Sequence, residues 1–291
     1  MCKPPRVRTT SRNRLAAAPV LGSASIRPFA PEPTLSELRE RDPDFPRHGL
    51  PGLLGSSLAI LLATFVVFLI VSFVASLVAV LAAGVDVLSE FMARVETMPV
   101  AIKDPVVIDV MQFVGLGLYG SHAAAIWIAG KFGAKMPLAR RVAWADWTGD
   151  RQFWWLLGAA LAYGLVSGLL LEWAYPESKS WAVLPPDSLG LSASLVLVCF
   201  VGPVVEELFF RGWIYTGMRQ KCSFRVTLAV TSVLFALTHY EHTHLYALAV
   251  FPVGLALGFV RERYGSIKAS AFFHGLYNLF SWVVLYFTTT V

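Results

Sequence analysis

Charge is scarce in this chain. Only 15% of its 291 residues are Asp, Glu, Lys or Arg, against 56% hydrophobic, and the mean hydropathy is +0.61. A soluble domain carries nearer about 25% charge, so the shortage excludes an ordinary soluble fold and points to a polytopic membrane protein. Cysteine is nearly missing as well. Cys2, Cys199 and Cys222 share no paired spacing, which excludes a disulfide framework or a zinc knuckle. The first thirty residues hold no Asp or Glu and no apolar core long enough for a secretory signal. They leave an organelle transit peptide open as one reading of that end. HExxH, the commonest helical zinc signature, does not occur. "GLGLYG" (Gly115 to Gly120) follows no strand, so it reads as close helix packing and not as a phosphate loop.

What is present divides the chain in two. Residues 1–50 are rich in Arg and Pro, and a disordered cytosolic tail is the expectation. Residues 51–291 read as an all-α transmembrane domain. A span needs about 20 apolar residues. Seven runs qualify or nearly do: Leu53 to Ala83, Pro105 to Gly130, Phe153 to Trp173, Leu191 to Gly217, Val226 to Tyr240, Leu245 to Val260, and Ile267 to Val291. The fifth and sixth are short and joined by "EHTH", so a single re-entrant hairpin is the other reading there. Nine Trp and nine Tyr suit interfacial belts.

Lys and Arg alternate between loops. The tail carries nine, the loop 84–104 two, 131–152 five, 174–190 one, and Arg211 to Arg225 four. The loop 241–244 carries none, and Arg261 and Arg263 precede Lys268. The positive-inside rule then places the N-terminus in the cytosol and the C-terminus outside. These basic loops follow membrane topology and can also hold anionic lipid; no nucleic-acid partner is expected. "FMARVETMPVAIKD" (Phe91 to Asp104) reads as a short amphipathic external helix or an ordinary loop.

Lipid rejects charge, at roughly 2.5 kcal/mol or more per group at the bilayer centre. Yet "VVEELFFRGW" puts Glu206, Glu207 and Arg211 into the fourth span. Glu207 and Arg211 stand at i and i+4 on one helix face and can pair. Glu206 faces elsewhere and needs another partner. The fifth span offers Phe235 and His239 at i, i+4, and the seventh His274 and Asn278 at the same spacing. With a rise of about 1.5 Å per residue, Glu206 lies roughly 20 Å from the end of its helix at Arg219, His239 roughly 20 Å from Val226, and His274 roughly 13 Å from Gly265. All three can meet below the cytosolic surface. A carboxylate and an imidazole can hold a water and take its proton. A second imidazole and an amide can donate to a tetrahedral oxyanion.

"EELFFR", "FALTH" and "HGLYN" match EExxxR, FxxxH and HxxxN, in order, on consecutive spans. In this the stretch from Leu191 to Ser281 resembles the CPBP family of intramembrane proteases, which includes the type II CAAX prenyl endopeptidases and bacteriocin-processing homologues. The resemblance implies that Glu206 and His239 activate water, that His274 and Asn278 form the oxyanion hole, and that Glu207 and Arg211 support them, with Phe235 in the FxxxH motif. It implies an endopeptidase without a cofactor, acting on membrane-anchored or prenylated CAAX-type substrates, in a bacterial plasma membrane with a site open to the cytosol. Three alternatives stay open. Glu206, His239 and His274 are credible zinc ligands. The same fold can serve a non-catalytic scaffold, immunity or partner protein. Intramembrane Glu and His also serve proton relays in transporters, although no inverted repeat is visible.

The remaining polar residues read as structural. Glu241, His242 and His244 fall in an external loop and read as solvated, His122 as a helix-packing contact, and Asp109 and Glu172 as interfacial.

Overall fold

The computed structural model describes residues 49–83, 89, 105–131, 136–174, 188–240 and 244–290. Most of the tail, the 91–104 segment, Glu241 and His242, and the side chains of Asp109 and His244, lie outside them. Among the described residues every regular element is helical. α1 is Leu50–Ala83, α2 Pro105–Lys131, α3 the single turn Leu138–Arg141, and α4 Arg151–Ala174. α5 runs from 188 to 219, α6 is Phe224–Leu237, α7 His244–Tyr264 and α8 Ile267–Thr290.

Among the described residues four segments are long and apolar enough to cross a membrane: Leu50–Val74, Arg151–Ala174, Gly190–Arg219 and Leu245–Tyr264. α8 has 24 residues, ample length for a span, but His274 and Asn278 lower its hydropathy. α6 has only 14 residues. It stops at Leu237, so Thr238 to Tyr240, expected within the fifth span, form a turn. α7 instead runs four residues past the expected end at Val260, because Arg261 and Glu262 find buried partners in the next turn.

α5 is the helix on which the others assemble, packing against α1, α2, α6, α7 and α8, while α4 covers α7 and α8. Its aromatic run supplies much of the core: Phe209, Phe210 and Trp213 are buried with Phe235 of α6, Leu257 of α7 and Phe273 of α8. α5 is not regular. Leu197–Val201 and Leu208–Tyr215 are π-helical, with the α-helical Gly202–Glu207 between them. π-segments are rare and concentrate at functional sites. In the first, Gly202 N–H reaches back five residues to Leu197 O. The next nitrogen in that register is Pro203, which has no hydrogen to give to Val198 O.

A strap at 142–150 fastens the helix ends that the charge pattern assigns to the cytosol. Ile267 N–H donates to Ala143 O at 3.0 Å, and Ser266 Oγ donates to Ala145 O at 2.5 Å. Lys268 pairs with Asp146 at 2.6 Å and Arg263 with Asp150 at 3.2 Å. The hydrogen bond from Tyr264 holds the Asp150 carboxyl below the usual carboxylate range. Gly265 closes α7 at φ 63, the left-handed position where glycine lacks a penalty.

Where α8 crosses α5, a Cβ on Gly275 would lie 2.7 Å from the backbone oxygen of Cys199, whereas one on Gly158 of α4 would meet nothing within 4 Å. Gly275→Ala is therefore expected to lower stability by about 1–3 kcal/mol by forcing the helices apart. Gly158→Ala should be neutral or stabilising by up to about 1 kcal/mol. Thermal unfolding of the purified protein in detergent checks the pair, and equal effects would show that the contact is not tight.

Candidate active site

The most buried charges come first, because they fix the surroundings of the rest. Glu207 and Arg211 are fully buried, with Oε1 and Nη1 2.8 Å apart. At an effective dielectric of about 20 that attraction is worth roughly 6 kcal/mol, comparable with the several kcal/mol that each buried ion loses in hydration. Arg211 turns a second nitrogen and one face to neighbours, while Nε is buried without a hydrogen-bond partner. Nη2 donates to Gly254 O of α7 at 3.0 Å, and the guanidinium lies 4.4 Å from the centre of the Phe235 ring of α6. Glu207 Oε1 also lies 3.4 Å from Nδ1 of His274, close but not aligned for a hydrogen bond. One ion pair thus touches α6, α7 and α8 from α5.

Glu206 points elsewhere, as the 100° offset between neighbours requires. Its Oε1 accepts a hydrogen bond from Tyr119 Oη of α2 at 2.7 Å. Its Oε2 is buried with no hydrogen-bond partner, 4.0 Å from His274 Nε2. Sequence reasoning missed Tyr119, which it absorbed into a glycine packing motif. The usable signal was a phenol inside an apolar run, since a buried tyrosine hydroxyl normally finds a partner.

His239 sits in the turn after α6. Its Nδ1 lies 2.9 Å from Phe235 O, an acceptor only, which puts the proton on Nδ1 and leaves the Nε2 lone pair available. Its ring lies 4.7 Å from that of Phe235, whose edge-to-face contact with His274 spans 5.6 Å. Phe235 therefore touches both imidazoles. No direct hydrogen bond joins His239 to Glu206.

Asn278 Nδ2 donates to Val198 O at 2.9 Å. This is the carbonyl that Pro203 leaves without a donor, so the amide takes the place of a missing backbone N–H. A second amide hydrogen remains on Nδ2. Among the described residues no group of three His, Cys, Asp or Glu side chains is gathered closely enough to hold a metal ion, so the Glu206, His239 and His274 set does not fit one in this arrangement. His122 joins α2 to α1 through Thr64 Oγ1 at 2.8 Å and meets the edge of Phe209, away from the other imidazoles. Glu172 is exposed at the end of α4.

A carboxylate with one free oxygen, an imidazole facing that oxygen, and a second imidazole against the same aromatic ring suit the activation of water. Comparison with known proteins picks out the same segment. The model of the type II CAAX prenyl endopeptidase Rce1-like family matches residues 188–280, from the start of α5 through the middle of α8. The match covers the segment that carries EExxxR, FxxxH and HxxxN. The candidate membrane peptidase YdiL of Bacillus subtilis (strain 168) is 29% identical to the chain over 104 residues, 36% of this chain and 42% of that protein. The match thus covers about two fifths of the relative's length. No solved structure matches the chain. Tyr119 lies outside the matched segment, so that segment receives a contact from a helix that the family model does not reach.

Breaking the buried pair from one side leaves an uncompensated charge. Glu207→Gln or Arg211→Met alone should cost about 3–5 kcal/mol, and the double replacement Glu207→Met/Arg211→Met distinctly less, as read by thermal unfolding in detergent. The Pro203 argument makes a separate prediction. Asn278→Ala should lower stability by about 1 kcal/mol. Pro203→Ala should recover most of it by returning a backbone N–H to Val198 O. Strictly additive effects would break that link.

Proposed function

We propose that the protein is an intramembrane endopeptidase that hydrolyses peptide bonds of membrane-associated substrates with water activated by Glu206 and His239. The observation that carries the reading is the division within Glu206, one oxygen held by Tyr119 and the other free beside His274. Water, polarised by Glu206 and by the open nitrogen of His239, attacks the scissile carbonyl carbon and gives its proton to Glu206. His274 and the spare amide hydrogen of Asn278 stabilise the oxyanion. As the tetrahedral intermediate collapses, the C–N bond breaks and Glu206 returns the proton to the leaving amine. Glu207 and Arg211 do not touch the reacting atoms in this scheme; they hold His274 and Phe235 in place.

The charge pattern supports seven spans with the N-terminus inside and the C-terminus outside, and a site reached from the cytosolic side of a bacterial plasma membrane. The substrate class that fits is a membrane-anchored or lipidated peptide, with prenylated CAAX-type tails as one member. The family matched at 188–280 supports that class.

Purified protein in liposomes, given a library of membrane-anchored and prenylated peptides, tests this reading. Glu206→Gln and His239→Ala should each lower cleavage by about 10²-fold or more, while a strong chelator leaves the wild type active. Undiminished cleavage by Glu206→Gln overturns the mechanism. Loss of cleavage with chelator alone moves Glu206, His239 and His274 to zinc ligation and requires a rearranged site.

A further inference from the structure

We infer that Tyr119 is a positioning residue for the proposed base, fixing by its hydroxyl which oxygen of Glu206 is free to take a proton. The inference rests on the reading of Glu206 just given and adds a helix to it. Three observations carry it. The Tyr119 hydroxyl donates to Glu206 Oε1 at 2.7 Å, the distance of a hydrogen bond to a charged acceptor. The opposite oxygen, Oε2, is the one left without a partner and turned to His274. Space for the hydroxyl is built into the opposing helix, because a Cβ on Gly202 would stand 3.1 Å from Tyr119 Oη.

The tight approach of α2 to α5 extends to one other position of the motif. A Cβ on Gly115, one turn before Tyr119, would lie 3.1 Å from a methyl of Leu197. The "GLGLYG" run therefore does two things at once: Gly115 lets α2 close on α5, and Tyr119 delivers a donor across the contact. A carboxylate free to rotate about its last torsion would present either oxygen to water. One held at Oε1 presents Oε2 only, and a reacting group fixed in geometry gains rate without gaining substrate affinity.

The test compares kcat with KM in the liposome assay. Tyr119→Phe keeps the ring and removes the hydroxyl, so kcat should fall about 10- to 100-fold while KM stays within about twofold. Replacing Tyr119 by 3,5-difluorotyrosine, which keeps the hydroxyl and makes it a stronger donor, should leave kcat within about threefold of wild type and far above Tyr119→Phe. Where Tyr119→Phe does not fold, the stronger donor still tests the contact: it should move the acidic limb of the kcat–pH profile to lower pH, and an unmoved limb overturns the inference. An unchanged kcat in Tyr119→Phe overturns the inference, as does an equal fall in kcat for the two variants. Glu206→Gln run beside them separates the cases: if it stays active, the reading of Glu206 has failed; if it is inactive and Tyr119→Phe is not impaired, only the role of Tyr119 has.

Discussion

A buried ion pair organises this bundle. Glu207 and Arg211 have no exposure, and between them they contact Gly254 of α7, Phe235 of α6 and His274 of α8. Attraction and desolvation nearly cancel for such a pair, so its value is not net stability. What it supplies is specificity: the pair forms within α5, and a neighbour that misplaced Gly254 O or the Phe235 ring would leave part of the buried guanidinium without its contacts. That constraint is why α6, α7 and α8 must close on α5 in one arrangement. Consecutive glutamates have different partners. Glu207 is tied by one oxygen to Arg211 of its own helix and Glu206 to Tyr119 of α2, and each keeps a second, buried oxygen without a hydrogen-bond partner.

The second constraint is the irregular path of α5. A straight α-helix would satisfy its own carbonyls and offer nothing to its neighbours. The π-turn at Leu197–Val201, followed by Pro203, strands Val198 O. Asn278 takes up that carbonyl and so ties α8 to α5 three residues below the tight contact at Gly275. His274 lies on the same face one turn away, and its placement beside Glu206 depends on that tie. Asn278 thus has a structural task that coexists with donation to an oxyanion, because its nitrogen bears two hydrogens. Thr216 plays a similar part at the other π-turn, where its hydroxyl donates to Arg211 O at 3.0 Å.

The parts of this site that follow helical periodicity were legible in the sequence. Glu207 with Arg211, and the separation of Glu206 from both, follow from the i, i+4 rule and the 100° step. The helical class and the approximate limits of the long helices follow from apolar runs. Legibility failed where the chain leaves regular geometry. The π-turns have no signature in composition, and the end of α6 at Leu237 is set by a turn whose residues remain apolar or aromatic enough to read as helix. The extension of α7 past Val260 was hidden for another reason. Arg261 and Glu262 look like loop residues until Thr216, Tyr215 and Arg219 are placed against them from α5. Tyr119 stood out as a phenol in an apolar run, but its partner, 87 residues away, was invisible because a single sequence does not record such pairs.

Placing His239 in a turn and not within the helix bears on how the site works. A residue on a helix face is fixed by the helix; a residue just past its end is fixed by what it touches. His239 is held by its bond to Phe235 O and by the Phe235 ring, which is in turn packed under the Arg211 guanidinium. The geometry of the proposed water-activating imidazole is therefore inherited, through one aromatic side chain, from the buried ion pair. The same ring also meets the edge of His274, so one aromatic side chain touches both imidazoles and the guanidinium. Phe235 is thus as much a part of the chemistry as the groups that ionise, although it carries no proton and accepts none.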